Sequence, residues 1–380
     1  MLPLDRARWL LGSKATIVFG AVALLLGLTI YIGEQVIRAN PEWLPAKAQG
    51  IRSITNQPGY RTVSDGDIGF LGPPHLRTRV STEDFENLQE TDAHGFPNRM
   101  PWPETVDIVV LGDSLVVGAG VGIDGQFSTL IAQSLPNNQM VNLGIPGAAP
   151  NRQLRAFRKF GASLRPKLVV SCIYLAAALD NQYHFDSWLK EGAKADYNQY
   201  RFELARRQYP TSFWTKVQKK SYIAGKLTEL AFRWWGIPDR IRFPSGPDAL
   251  LDIESLRSRL RSQATGLDRE DHRMLSMIES LKEMRALSQG GGANFLVLLI
   301  PSKEEIYGAS FMPEVLKPAQ TLEQRLKEEE FSVLSVYDAV RERGKQQSAF
   351  FPRDIHLNAL GNQIVADALV NWIKKSGMFP

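Results

Sequence analysis

The sequence is poor in residues that form cross-links or soft metal sites. Its 380 residues include one cysteine, Cys172, and five histidines. A single cysteine excludes an intramolecular disulfide and makes a cysteine-based zinc site untenable. The histidines are scattered, without the spacing of metal ligands: His75, His94, His184, His272 and His356. The sequence therefore implies neither a metal nor a cofactor.

No charge sign dominates, and no segment is of low complexity. The formal net charge is +5, and lysine and arginine are interleaved with aspartate and glutamate along the chain. No basic patch of the kind that binds nucleic acid stands out, so no nucleic-acid partner is predicted. With 44% hydrophobic and 22% charged residues, the chain is neither disordered nor collagen-like. Its length allows one large domain or two ordinary ones.

Only one apolar run is long enough to cross a bilayer. Residues 15–33 form an apolar run without a charged side chain. The length of this run matches what a membrane-spanning helix needs. Arg6, Arg8 and Lys14 precede this run, and Arg38 follows it closely. The positive-inside rule predicts a cytoplasmic segment over 1–14, a transmembrane helix over 15–36 and an extracytoplasmic or periplasmic remainder. A cleaved signal peptide is the main alternative, and a buried helix of a soluble protein is the other.

After this run, a polar stretch leads into an alternating pattern. Residues 37–105 are interrupted by proline and glycine, which predicts an extracytoplasmic arm with a short hairpin rather than an independent core. From Val106, five short apolar runs alternate with helical segments, the runs being 106–112, 139–144, 167–175, 294–300 and 331–337. Helices are expected from Asp124, over 150–164, over 314–329 and over 359–375. This order predicts a three-layer α/β/α domain over 106–380 with a mostly parallel, five-stranded sheet.

A long segment separates the third and fourth strands. Residues 183–289 have few strand signals and many helix-forming residues, which predicts a helical insertion on this domain. Within it, residues 213–235 mix aromatic residues with lysines. That composition fits an amphipathic helix packed on the core, and it also fits contact with a membrane interface.

Two distant motifs carry the chemistry. Leu111-Gly-Asp-Ser114-Leu follows the first predicted strand, at the edge of the sheet where open α/β sheets bind ligands. Serine is a weak nucleophile that needs a base oriented by a third group. Asp354 and His356 lie two residues apart in a loop before the last helix, so both can approach one serine. The imidazole would take the serine proton and the carboxylate would hold the ring.

The order of these motifs resembles the SGNH or GDSL hydrolase superfamily. The match runs from about Val106 to the C-terminus, apart from the insertion, and it includes the block Asn142-Leu-Gly-Ile-Pro-Gly147. The segment 299–307, LIPSKEEIY, together with the His94-Gly-Phe stretch of the arm, is similar to membrane-linked members associated with O-acetylation of exopolysaccharides. The resemblance implies an SGNH-like fold for the whole domain.

Carried over to this sequence, the resemblance implies a role for each motif residue. Ser114 is the nucleophile, His356 the base and Asp354 its orienting carboxylate. The backbone N–H groups of Ser114 and Gly147 face the oxyanion, the oxygen that becomes negatively charged during acyl transfer.

The third family block departs from the pattern. The family places an asparagine oxyanion donor after the third strand, whereas this chain has alanine at 176, 177 and 178. Asn181 and Asn151 are the available substitutes. Because the loss of one donor can lower the rate by on the order of 10²–10³, slow turnover of simple soluble esters is expected.

The sequence as a whole predicts a membrane-anchored serine esterase or acyltransferase that acts on O-acetyl groups of a carbohydrate. The predicted partners are an ester-bearing carbohydrate or another acyl substrate, the membrane, and proteins of polysaccharide assembly. Two alternatives stay open. One is a polysaccharide O-acetyltransferase rather than a hydrolase. The other is a non-catalytic polysaccharide-binding or scaffold protein that keeps the fold.

Overall fold

The computed structural model of the protein describes most of the chain. The described residues are 4–40, 62–82, 84–99, 101–208, 223, 240–242, 250–252, 271–310, 313–352 and 354–379. Apart from residue 223, the aromatic and lysine-rich segment 213–235 lies outside them. The chain divides into two compact units. The N-terminal helix belongs to one of them, and the sheet and its surrounding helices belong to the other.

The N-terminal unit contributes one long helix. This helix, α1, spans Leu4–Ala39. Its segment Val18–Ile37 is apolar and long enough to be a candidate membrane span. The side chains there are mostly exposed, with Phe19 77% and Leu24 75% exposed. An apolar helix at this position agrees with the predicted span over 15–36.

The larger unit is built on a five-stranded, fully parallel sheet. Its strands lie in the order β11, β10, β7, β5, β6. Strand β5 lies between β7 and β6, and Ser114 follows its carboxyl end. Three two-stranded antiparallel pairs, β1 with β2, β3 with β4 and β8 with β9, lie outside this sheet. The strands are β1 Val63–Asp65, β2 Gly69–Leu71, β3 Arg77–Ser81, β4 Glu86–Glu90, β5 Ile108–Gly112, β6 Met140–Gly144, β7 Leu168–Tyr174, β8 Arg240–Arg242, β9 Leu250–Asp252, β10 Asn294–Ile300 and β11 Ser332–Ser335.

Helices alternate with the sheet strands, as parallel connections require. They are α2 Ser114–Val117, α3 Gly122–Gly125, α4 Phe127–Ser134, α5 Pro150–Ala156, α6 Leu175–Lys190, α7 Tyr197–Gln208, α8 His272–Gly290, α9 Lys303–Tyr307, α10 Lys317–Glu328, α11 Tyr337–Arg343 and α12 Ala359–Ser376. A π-helical turn at Phe157–Gly161 and a 3₁₀ turn at Ala162–Leu164 continue α5. The predicted helix over 150–164 is therefore present but changes its winding.

The sheet has a hydrophobic core on each face. Alternate side chains of a strand point to opposite faces. Ile108 and Val110 belong to the cluster that includes residues of α4 and α12. Val109 and Leu111 belong to the cluster that includes residues of α5 and α8. All four are fully buried. The predicted three-layer α/β/α fold with a five-stranded sheet is confirmed.

The arm before β5 packs into this core. Ile68, Phe70 and Phe96 are fully buried and belong to the same cluster as Val109 and Leu111. The arm forms two short antiparallel pairs, β1 with β2 and β3 with β4, where the sequence predicted one hairpin. The arm thus contributes side chains to the main hydrophobic core.

Two sequence expectations about helices need adjustment. The helix predicted to start at Asp124 is α4, which begins at Phe127 with Gln126 as its N-cap. Asp124 lies in the short helix α3, and its exposed carboxylate forms an ion pair with Arg99. Within the predicted insertion, α6, α7 and α8 account for most described residues, and the small β8–β9 pair is the non-helical part.

Candidate active site

Ser114 lies where β5 turns into α2. β5 ends at Gly112, and Ser114 is the first residue of α2. The Asp113 side chain caps this helix by accepting a hydrogen bond from the Leu115 N–H at 3.0 Å. Gly112 fits here because a Cβ at this position would lie 2.2 Å from Cγ2 of Val116. The turn therefore fixes the Ser114 hydroxyl at the carboxyl end of a buried strand.

The structure brings Ser114, His356 and Asp354 into hydrogen-bond contact. Nε2 of His356 lies 2.7 Å from Oγ of Ser114. Nδ1 of the same ring lies 2.5 Å from Oδ1 of Asp354. In the tautomer that donates its Nδ1–H to Asp354, Nε2 is left to accept the serine proton. This chain of contacts joins residues that are 242 positions apart in the sequence.

The Asp354 carboxylate is held in its ionised form. Burial opposes ionisation, but the hydrogen bond and the charge of His356, together with the nearby charge of Lys303, outweigh it and lower the pKa of Asp354. Asp354 Oδ1 also accepts the backbone N–H of His356 at 2.8 Å, which fixes the ring relative to the carboxylate. An ionised, fixed carboxylate is what stabilises an imidazolium as it forms.

Asp113 adds a second carboxyl group close to the histidine. It is buried, and desolvation raises its pKa to about 6, although the N–H of Leu115 and the charge of His356 act in the opposite direction. Above that pH the group carries a negative charge that interacts favourably with a protonated His356. The Asp113 side chain also accepts a hydrogen bond from the Leu115 N–H within the turn that holds Ser114.

Two residues from distant parts of the chain hold the loop that carries Asp354. Nζ of the buried Lys303 donates to the carbonyl oxygens of Phe351 and Pro352, at 2.6 and 3.2 Å. Oδ2 of Asp84, next to the β3–β4 pair of the arm, accepts the Asp354 N–H at 2.6 Å. Sequence reasoning noticed Lys303 only within a family-like segment. It missed Asp84, because no local pattern links positions that are 270 residues apart.

Replacing Lys303 with methionine is expected to lower kcat/KM for p-nitrophenyl acetate by about 10- to 100-fold, because the loop loses two hydrogen bonds and a small displacement of reacting groups is costly. The change also removes a positive charge near Asp354. The pKa of that carboxyl would then rise, so the acid limb of the pH–rate profile should move to higher pH. The pH dependence of kcat/KM measures this shift.

Lys303→Arg, which keeps the charge, should retain the wild-type acid limb. Lys345→Met removes an exposed lysine and serves as the matched control. A lower melting temperature with an unchanged pH profile would show that Lys303 has a structural role only.

Gly147 lies at the same edge of the sheet as Ser114. Gly112 and Gly144, the last residues of β5 and β6, are direct partners in the parallel register. Ser114 and Gly147 follow these two glycines by two and three residues. Gly147 has a φ of +67°, a conformation that disfavours side chains. The structure thus places the two predicted oxyanion loops side by side.

The two predicted substitutes for the missing asparagine differ in placement. Nδ2 of Asn151 donates to the Gln182 carbonyl oxygen at 3.0 Å and to the Asp186 carboxylate at 2.8 Å, so its amide is already engaged. The Asn181 amide lies close to Gly147. A Cβ atom at position 147 would be 3.6 Å from Oδ1 and 3.7 Å from Nδ2 of Asn181. Asn181 therefore lies beside the predicted oxyanion loop, whereas the Asn151 amide is engaged by Gln182 and Asp186.

The three alanines that differ from the third family block lie in the first turn of α6. They directly follow β7, and Ala178 is buried in the core while Ala176 and Ala177 pack against the other cluster. Asn181 comes four positions after Ala177, which is about one helical turn. The Asn181 amide therefore lies one turn further along the same helix than the alanines.

The other histidines lie away from this chemistry. His94 packs against Trp102, with ring centroids 4.4 Å apart, and His184 is buried in α6. His75 and His272 are exposed. Over the part of the chain that the structure describes, no group of three or more His, Cys, Asp or Glu side chains is arranged to hold a metal ion. The single cysteine, Cys172, is buried in β7.

Comparisons with known proteins give similar structures only. No family model matches the chain, and no curated protein matches it. Similar solved structures include a member of the lipolytic protein G-D-S-L family from Veillonella parvula. It has a TM-score of 0.38 at 9% identity, and the match covers 71% of this chain and 98% of that one.

A GDSL-like lipase from Bacteroides thetaiotaomicron has a TM-score of 0.36 at 12% identity, covering 73% of this chain and 93% of its own. An acetylxylan esterase from Geobacillus stearothermophilus has a TM-score of 0.39 at 13% identity, covering 72% and 96%. The first two are described as G-D-S-L proteins, the superfamily that the sequence motifs resemble. What the site of this chain can do chemically follows from its own residues.

Proposed function

We propose that the protein is a serine esterase or acyltransferase of SGNH type. The observation that carries the proposal is the continuous contact from Ser114 Oγ through the His356 ring to the Asp354 carboxylate, at 2.7 and 2.5 Å. Ser114 acts as nucleophile, His356 as general base and then general acid, and Asp354 as the group that orients the ring and stabilises its cation. The N–H groups of Ser114 and Gly147 bind the oxyanion, and the Asn181 amide lies beside the Gly147 loop.

The substrate class that we propose is an O-acetylated carbohydrate. Support comes from the segment 299–307, which resembles members associated with exopolysaccharide O-acetylation, and from the position of Lys303 of that segment under the catalytic loop. The acyl group passes from the carbohydrate oxygen to Ser114, and then to water in an esterase or to a sugar hydroxyl in an acetyltransferase. Both reactions use the same three side chains.

We also propose that α1 anchors the protein in a membrane, with the catalytic unit on the extracytoplasmic side. The candidate span Val18–Ile37 and the basic residues before it support this orientation. An alkaline-phosphatase fusion after residue 60 is expected to be active, and a reporter that works only in the cytoplasm is expected to be inactive there. The opposite pattern would reverse the topology.

Covalent labelling with a fluorophosphonate tests the enzymatic function without knowledge of the substrate. The full-length protein in detergent should be labelled at Ser114, because the phosphonate reacts with a serine that a neighbouring base activates. Ser114→Ala should show no labelling, and Ser128→Ala, a change at another buried serine, should keep it. A wild-type protein that is neither labelled nor active on acetyl esters would favour the non-catalytic scaffold instead.

A further inference from the structure

Two guanidinium groups lie beside the loop that contains Gly147. Arg152, at the start of α5, is fully buried. It donates to the carbonyl oxygens of Ile68, Phe70 and Pro146 at 2.9, 3.1 and 3.1 Å. Burial lowers its pKa to about 10, so the group keeps its positive charge at neutral pH. All three of these acceptors are neutral, and their dipoles only partly offset the charge.

Arg201, on α7, lies directly against Gly147. A Cβ at position 147 would be 2.5 Å from Nη1 of Arg201. Nε of Arg201 donates to Oδ1 of Asn198 at 3.0 Å, and the guanidinium lies 4.9 Å from the centroid of the Phe70 ring. These contacts fix the plane of the guanidinium and leave Nη1 at the glycine. Because glycine has no side chain, the Arg201 guanidinium can approach the backbone of this loop at position 147.

The charge of these two groups is offset only at longer range, by Asp65 for Arg152 and by Asp196 for Arg201. Within the described part of the chain, no carboxylate is in ion-pair contact with Arg152 or Arg201, and the hydrogen bonds that they donate there go to neutral oxygens. Burial also lowers the pKa of Arg201. Arg152 is fully buried and Arg201 partly buried, and cations in such places without a carboxylate in contact are costly to the fold and attract an anion that enters. The arrangement is a preorganised anion site beside Gly147.

We infer that Arg201 supplies the oxyanion donor that the alanines after β7 lack. This inference rests on the proposed function. During attack on the acyl carbon, negative charge develops on the oxygen of the tetrahedral intermediate, which faces the Ser114 and Gly147 N–H groups. Arg201 Nη1, packed on Gly147, adds a charged donor there, and charge-assisted hydrogen bonds are about twice as strong as neutral ones. The slow turnover of simple soluble esters that the three alanines predict is then not required.

Formation of the acyl-enzyme conserves atoms and charge. Oγ of Ser114 forms a bond to the acyl carbon while its proton moves to Nε2 of His356, and the carbonyl π-electron pair moves onto the acyl oxygen. That oxygen, now negative, receives hydrogen bonds from the Ser114 and Gly147 N–H groups and from Arg201. The electron pair then re-forms the carbonyl, and the bond to the carbohydrate oxygen breaks. The leaving oxygen takes the proton from His356, the acyl oxygen is neutral again, and Arg201 keeps its positive charge.

Steady-state kinetics on p-nitrophenyl acetate, a neutral ester, test this inference with the full-length protein. Arg201→Gln should lower kcat by on the order of 10²–10³ and change KM by less than about threefold, because the negative oxygen exists only after attack. Arg201→Lys, which keeps the charge, should lose less than the glutamine variant. Methylguanidine should restore part of the activity of Arg201→Ala. Arg207→Gln, an exposed change on the same helix, should match the wild type.

The outcomes separate this inference from the proposed function. If the wild type hydrolyses the neutral ester and Arg201→Gln has the same kcat, the role of Arg201 is overturned. The proposed esterase function is then still supported. An increase in KM confined to substrates with a carboxylate, with kcat unchanged on the neutral ester, would also overturn it, since Arg201 would then bind a substrate anion. A folding defect would appear as equal losses in the lysine and glutamine variants without rescue by methylguanidine, and it too counts against the inference.

Discussion

Alanine at Ser114 and alanine at His356 are expected to abolish hydrolysis of p-nitrophenyl acetate to similar extents. Each single change should lower kcat by on the order of 10⁴–10⁶, because the nucleophile and its base act as one unit. The contact of 2.7 Å between Ser114 Oγ and His356 Nε2 is the physical basis. The double variant should therefore be no slower than either single variant. Single-turnover and steady-state rates on purified protein measure this.

Independent effects of the two substitutions would contradict the prediction that Ser114 and His356 act as one unit. If the two losses multiplied in the double variant, Ser114 and His356 would act in separate steps rather than as a pair. Ser114→Ala at the wild-type rate in a preparation free of contaminating esterase would remove Ser114 from the mechanism. Ser134→Ala, which changes a serine at the end of α4, is the matched control and should leave kcat unchanged.

Replacement of Asp354 by asparagine is expected to lower kcat by about 10⁴-fold with little change in KM. The amide oxygen can still accept the backbone N–H of His356, which the carboxylate accepts at 2.8 Å, so the loop keeps its shape. The negative charge that stabilises the imidazolium is lost, and the ring is free to adopt the wrong tautomer. The measurement is kcat against pH for the wild type and the variant.

The pH dependence sharpens this test. Since the pKa of Asp354 lies below its ordinary value, the wild-type carboxylate stays ionised at pH values where an unpaired aspartate begins to gain a proton. The loss in Asp354→Asn should therefore be nearly constant from neutral to moderately acidic pH. Asp338→Asn, an exposed change on α11, should have no effect. A loss of less than tenfold at neutral pH would mean that His356 is oriented by another group.

The fold follows from patterns that are local in the sequence. Short apolar runs such as 106–112 and 294–300 are buried on both faces, so they are apolar without alternation, and they recur between amphipathic helices. This signal alone predicted the parallel sheet, which the structure confirms. The exact start of α4 was not predictable, because Asp124 and Gln126 are both plausible at a helix start and only the ion pair with Arg99 draws Asp124 away.

The side chains proposed for catalysis could be singled out from the sequence because each lies in a compact motif. Ser114 directly follows a strand, and Asp354 and His356 are two residues apart before a helix. In a parallel sheet the carboxyl ends of the strands share one edge, so motifs at strand ends converge whatever their separation along the chain. Asn181 was named from the sequence only as one of two alternatives. The engaged amide of Asn151 and the proximity of Asn181 to Gly147 distinguish them.

The sequence by itself determined the layered fold, the apolar N-terminal helix and the three side chains proposed for catalysis, since each depends on hydrophobic periodicity or on residues close together in the chain. Only the tertiary structure decided what supports them. Asp84 from the arm and Lys303 from α9 hold the Asp354 loop, and Arg201 from α7 reaches Gly147. These contacts join segments that are distant in sequence, and they depend on how the arm and helices pack rather than on any local pattern.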